Sequence, residues 1–357
     1  MEIADSYQGF RYKILQTVSK SSASVDTIFS WLFIYFVKQR YTRADYAQLI
    51  QLLQQENLAV KKQFLEELYP YFGDLLRHSF FFTTAEIEVD EPLLEVAKRA
   101  FYTYWTLLSY ANDGRNLIPE DEELKEKFAY FLRLESFDFL NLQYQILSQC
   151  NLARAQLNSA NCQFTNFYKS NLIEADLGQA DLSHANLSET NLNQANLQEA
   201  TLHQTIFVRA DLFNANLSRT NLQTAYLEDS ILDKANFAQT KMRGVDLHSK
   251  KLFYCNFMGA DLAYANLMYA DLSFAQMEQV NLTEANLSHT LFHKADLRGA
   301  LLRSARLEQA NFQQANLQLA DLRSTDVRGA VFRQADMRKV QAEPVILQYA
   351  ERQQAQI

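Results

Sequence analysis

From Leu142 to Met337 an apolar residue returns at every fifth position without a slip, 40 units in succession. This central residue, here called c, is always Leu, Phe, Met, Val or Cys. The position two before c is as restricted. Its 38 occurrences from Cys150 to Ala335 are Ala, Ser, Thr, Cys or Val, with Lys250 as the one exception. The residue between them is mostly Asp or Asn, and the two after c are polar and variable. A helix carrying a period of five would smear its leucines around the axis, and a plain strand would alternate throughout. Here the alternation occurs once per unit: small residue inward, Asp/Asn outward, c inward. Two outward residues follow, and that pair makes a corner. Each unit therefore reads as one short extended side plus one turn, and the repeated chain coils into a solenoid with its apolar residues on the axis.

Several absences agree with this geometry. No proline occurs between residues 141 and 340, as expected where backbone N–H groups bond to a neighbouring coil. Gly244, Gly259, Gly299 and Gly329 all fall two residues after c, the corner position where a positive φ is accommodated at no steric cost.

A passage such as ADLGQADLSHANLSETNLNQANLQEA resembles the pentapeptide-repeat family, whose consensus is A(D/N)LXX, and the resemblance covers about residues 141–340. It implies an all-β, right-handed quadrilateral β-helix of 20 residues per coil. Forty units then make about 10 coils, and at ~4.8 Å per coil the rod is about 48 Å long. Residues 20 apart would stack, placing Phe292, Phe312 and Phe332 in one internal ladder and Phe237 and Phe257 in another.

Residues 1–140 follow another grammar and read as an all-α domain capping the solenoid. Helical spacing recurs in Tyr46, Leu49, Ile50, Leu53 and in Leu93, Val96, Ala97, Ala100. Thr42 with Asp45 and Thr83 with Glu86 resemble capping boxes. Ile28–Val37 is a ten-residue apolar run, too short for a spanning helix, which needs about 20 residues, so no transmembrane segment is expected. Residues 341–357 leave the repeat; Val345, Ile346, Leu347 and Tyr349 suit either a cap on the last coil or a homodimer contact.

The chemistry-bearing residues form no catalytic constellation. There is no GxGxxG, P-loop, GxSxG or HExxH, so no cofactor is expected. His289 and His293 would make a metal pair on a helix, but in this coil they flank Phe292 on adjacent faces, and no metal site is expected. Cys150, Cys162 and Cys255 occupy inward positions as small core residues, without CxxC spacing, which fits a reducing compartment. The start, MEIADSYQGF, lacks a secretory layout, and a cytoplasmic location is the simplest expectation. Lys250 cannot sit in the small interior slot without burying a charge. The expectation there is a local bulge that turns Lys250 outward, beside Lys251, which stands where Asp or Asn is usual.

Charge is uneven along the rod. Residues 171–233 carry nine acids against Arg209 and Arg219, and residues 291–340 carry nine Lys/Arg against five acids. Arg298, Arg303, Arg323, Arg328, Arg333 and Arg338 all follow c directly and, with Lys250 and Lys251, are the candidate interaction residues. The function these features favour is a noncatalytic scaffold for a protein partner, since solenoids bind through extended faces. One branch of the family resembles duplex DNA and modulates DNA gyrase or topoisomerase. Against that, residues 141–340 hold 18 Lys/Arg and 19 Asp/Glu, far from a strongly acidic rod. The overall charge of −8 gives no expectation of direct nucleic-acid binding. A bacterial effector delivered to a host cell is the other alternative, with the helical domain then carrying the targeting activity.

Overall fold

A computed structural model describes residue 133 and residues 140–357. The helical reading of residues 1–140, with Ile28–Val37 and both capping boxes, falls outside them.

The solenoid is built from single parallel bridges. The residue before c pairs with its counterpart 20 residues on, as in Asn171 with Asn191 and Asn196 with Asn216. Within each unit the c amide donates upward and the preceding amide donates downward. Leu172 N reaches Asn191 O at 2.7 Å, and Asn171 N reaches Cys150 O at 2.9 Å. The second corner residue also donates upward, as in Glu174 N to Asn193 O at 2.9 Å. A five-residue unit with a 20-residue register makes four units per coil, hence four sides and four corners.

The corners are type II turns. Ala175 N donates to Leu172 O at 3.0 Å, and the residue two after c has a positive φ, +55° at Glu174 and +57° at Gln179. A left-handed residue with a side chain costs about 1–2 kcal/mol, and here the ladder bonds of each unit offset it. Gly244 and Gly329, at φ +70° and +68°, take the same conformation without that cost. Between Gln149 and Lys339 one corner residue departs from the rule, Thr224, whose φ is not positive.

The interior matches the sequence pattern. From Leu147 to Met337 every c side chain is buried except Val327, which is half-buried. Phe292 stacks on Phe312 at 4.7 Å, Phe312 on Phe332 at 5.3 Å and Phe237 on Phe257 at 4.9 Å between ring centroids. Burying one such ring contributes about 1.5–3 kcal/mol, and each stacked pair adds about 1 kcal/mol. The Asp and Asn residues before c bond to nearby backbone: Asp176 Oδ1 accepts from Gly178 N and Asn186 Oδ1 from Ser188 N.

The last coil is covered by the same chain. Helix α1, Pro344–Glu351, starts on a proline and buries Ile346 and Ala350. The Tyr349 hydroxyl and the Gln353 amide both donate to Ala330 O at 3.1 Å. Beyond α1 the chain returns to the ladder, with Met337 N donating to Gln356 O at 2.7 Å. No helix among the described residues is long and apolar enough to cross a membrane.

Candidate functional site

Between Ile146 and Asp321 the bridge ladder is interrupted at three positions: Thr201/Asn221, Tyr226/Asp246 and Ile231/Lys251. The last two are neighbours on one inter-coil seam, so two adjacent sides of the coil lose their pairing together.

The first interruption has a local cause. A β-branched side chain resists positive φ, and Thr224 is the only Thr, Val or Ile among the residues two after c. Its corner keeps the Ala225 N to Leu222 O bond at 3.2 Å without the positive φ of the other corners. Gln204 N, which the pattern would pair with Gln223 O, bonds instead to Thr224 Oγ1 at 3.2 Å.

The second and third interruptions centre on Lys250, and here the expected bulge is overturned. The repeat register is unbroken: Lys250 N donates to Leu247 O at 3.1 Å, and Asp271 N donates to Lys250 O at 2.9 Å. The lysine stays in the inward slot, and its stem leaves through the seam toward the preceding coil. There the ammonium donates to Leu227 O at 2.8 Å and Ser230 O at 3.1 Å, with Ser230 Oγ at 3.4 Å. A charged terminus cannot stay on an apolar axis, so the side chain threads the gap and props it open. Burial holds the Lys250 pKa below the usual lysine value, while Asp229, Glu228 and Asp246 pull it back up. Lys251 holds the outward position before c and is exposed.

The result is a cleft of about 630 Å³ between the two coils. Glu228, Asp229, Ile231, Asp246, Lys250 and Lys251 are among its lining residues. It reaches the core: Leu227 and Val245 are 4% and 8% exposed, where most of the apolar core is at 0–1%. Ile231, in the lining, is 49% exposed, and Tyr226 is 46% exposed. The amides of Leu227, Asp229, Leu232, Asp246 and Lys251 make none of the ladder bonds that their counterparts make in the regular coils.

The arginines at the other end are arranged differently. Arg298, Arg323, Arg328 and Arg338 each fold back onto the aspartate before c in their own unit, Asp296, Asp321, Asp326 and Asp336, at 2.6–2.8 Å. Arg303 joins Arg323 on Asp321 at 3.0 Å. Arg333, whose unit has Val331 in place of an aspartate, makes no ion pair among the described residues. The Arg323 hydrogen bond holds the Asp321 carboxyl well below the usual range, and the Arg338 hydrogen bond takes Asp336 down to about 2. The structure thus does not bring the eight candidate residues together: Lys250 and Lys251 share the cleft, and five of the arginines lie in ion pairs farther along the rod.

His289 stacks on Tyr269 and His293 meets Phe274 edge-on, and among the described residues no group of three or more His, Cys, Asp or Glu is placed to hold a metal ion. The three cysteines are free and buried, and burial pushes the Cys162 and Cys255 thiols up.

Comparison with known families decides the kinship. The model for pentapeptide repeats matches in 8 copies, over residues 136–172, 170–209, 210–248, 255–299, 281–318 and 300–338. The chain belongs to the pentapeptide-repeat family. The matched stretches pass over residues 249–254, the unit of Lys250. Among solved pentapeptide-repeat structures, the chain is similar to HetL from the cyanobacterium Nostoc sp. strain PCC 7120, a protein involved in heterocyst differentiation regulation. That match has 32% identity over 57% of this chain and 84% of HetL, with a TM-score of 0.35. It is also similar to a trypsin-treated variant of QnrB1, a plasmid-mediated fluoroquinolone resistance protein, at 19% identity over 58% and 94% of the two chains and a TM-score of 0.30. A third neighbour is Rfr23 from the cyanobacterium Cyanothece 51142, at 19% identity, 43% and 84% coverage and a TM-score of 0.17. No curated protein matches the chain.

Proposed function

We propose that this pentapeptide-repeat protein is a noncatalytic protein-interaction module. The observation that carries this reading is the division of labour within each unit. The residue before c and the corner residue spend their main chain on the ladder, and c with the small residue fills the axis. Chemical variety is left to the outward side chains, held at fixed spacing on a continuous wall. Such a wall recognises through extended surface complementarity. The free, buried cysteines support a reducing, cytoplasmic setting.

Modulation of a DNA topoisomerase by duplex mimicry is less well supported. The acidic stretch is partly neutralised, with Glu174 bonded to Arg154 at 2.8 Å, Glu189 to Lys169 at 3.4 Å and Glu199 to Arg219 at 3.0 Å. The test is affinity purification with the full chain, identified by mass spectrometry, alongside a gyrase supercoiling assay. Recovery of a stoichiometric protein partner with supercoiling unaffected supports the scaffold. Background recovery with inhibited supercoiling replaces it with the mimic.

A further inference from the structure

We propose that the cleft between residues 223–233 and 244–251 is a docking notch for an extended, cationic segment of a partner protein. The proposal deepens the interaction-module reading and rests on it. Four observations converge on the class of occupant.

The first is charge. Glu228, Asp229, Asp233 and Asp246 line the cleft against Lys250 and Lys251, and Lys250 is turned to main-chain carbonyls instead of a carboxylate. Of the four acids only Asp229 has an ion pair among the described residues, a long one to Arg209 at 3.9 Å.

The second is the main chain. The carbonyls of Ala225, Asp246, His248 and Lys251 and the amides of Leu227, Asp229 and Leu232 lack the ladder partners found in the regular coils. An open strand edge of this kind pairs with extended peptide, whereas the regular coils have their edges closed.

The third is apolar anchorage. Ile231 lines the cleft and is about half exposed, and Tyr226, between the lining residues Ala225 and Leu227 in the chain, is exposed to a similar degree. The fourth is the chain's own demonstration. A primary ammonium on an alkyl stem already enters this seam and is held by Leu227 O and Ser230 O, while the carbonyls of Ala225, Asp246, His248 and Lys251 lack their ladder partners. A partner arginine, with five donors in a planar fork, matches carbonyls and carboxylates together.

The experiment uses the full chain and a fluorescein-labelled nonapeptide alternating arginine with alanine, read by fluorescence anisotropy. The matched peptide with glutamate for arginine is the control. Expected results are saturable binding of the arginine peptide alone, and roughly tenfold weaker binding by the double variant Asp229→Asn/Asp246→Asn. Glu284→Gln, on another part of the rod, leaves affinity unchanged. Ile231→Asn separates notch from bare electrostatics: an affinity loss supports the notch. Binding that is equal in the double variant and the parent, or equally reduced by Glu284→Gln, overturns it. A protein partner recovered equally by parent and double variant would leave the interaction module standing and remove the notch. Loss of peptide binding in the double variant, with no protein partner recovered by either, would keep the notch and remove the wider reading.

Discussion

The Lys250 ammonium lies 2.8 Å from the carbonyl oxygen of Leu227, a core residue of the preceding coil. In regular coils the short hydroxyls of Ser170, Thr205 and Thr290 make the same reach to the c carbonyl 23 residues earlier, with the ladder intact around them. Here a long charged side chain takes that place, and the ladder bonds on two sides of the coil are missing.

Replacing the wedge tests its cost. Lys250→Ala restores the residue type that the slot holds elsewhere. It gives up the ammonium's bonds to Leu227 O and Ser230 O, each worth about 1.5–3 kcal/mol, with the longer one to Ser230 Oγ, and frees the seam to form five ladder bonds of about 0.5–1.5 kcal/mol each. It also removes the burial penalty on the ammonium. The expected outcome is a net gain of about 1–2 kcal/mol, read as a higher thermal midpoint. A lower midpoint would mean that the lysine holds the coils together instead of holding them apart.

Thr224 offers an independent handle. Thr224→Asn tolerates the left-handed corner, so the Gln223 carbonyl can turn back to Gln204 N. We expect about 0.5–1 kcal/mol of stabilisation in denaturant titration. The Thr224 Oγ1 bond to Gln204 N is lost in that variant, and net destabilisation would show that the hydroxyl contributes more than the corner costs.

The phenylalanine ladder sets the scale for core damage. Phe312 stacks on rings above and below. Phe312→Ala should cost about 3–5 kcal/mol in denaturant titration, whereas Val327→Ala, at a half-buried c position, should cost much less. Similar losses at the two sites would contradict the stacked interior.

Acid sensitivity should concentrate in the last coils. The arginine-bonded carboxyls of Asp321 and Asp336 titrate below the ordinary aspartate value. Their stabilisation is therefore complete above pH about 4 and is lost as the pH falls through the folded value, about 2 for Asp336. Asp336→Asn should lower the midpoint at pH 7, with the gap to the parent narrowing below pH about 4. A constant gap across that range would rule out the ion pair as its source.

Much of this was legible in the five-residue grammar, and the exceptions are instructive. The inward c residues and the corner glycines follow directly from the period, and the stacked phenylalanines from the 20-residue coil that the family resemblance implies. Lys250 stands out in the sequence, but the expected bulge presumes that the backbone yields. Instead the side chain does, because its stem is long enough to reach carbonyls across the seam. Thr224 carried an equally clear signal, the single β-branched residue in its column, yet it matters only once the corner is known to be left-handed. The arginines look like a basic end when counted by position. Read with the residue two before each, they pair with Asp wherever Asp is present; of the two without it, Arg303 after Leu301 reaches Asp321 across the coils and Arg333 after Val331 makes no ion pair among the described residues.

The open seam is tested most directly by amide hydrogen exchange on the full chain without ligand. The account predicts that Leu227, Asp229, Leu232, Asp246 and Lys251 exchange far faster than bonded counterparts one coil earlier, such as Phe207, Arg209 and Leu212. Equal protection at both sets of amides would show the ladder to be continuous there and would contradict the account.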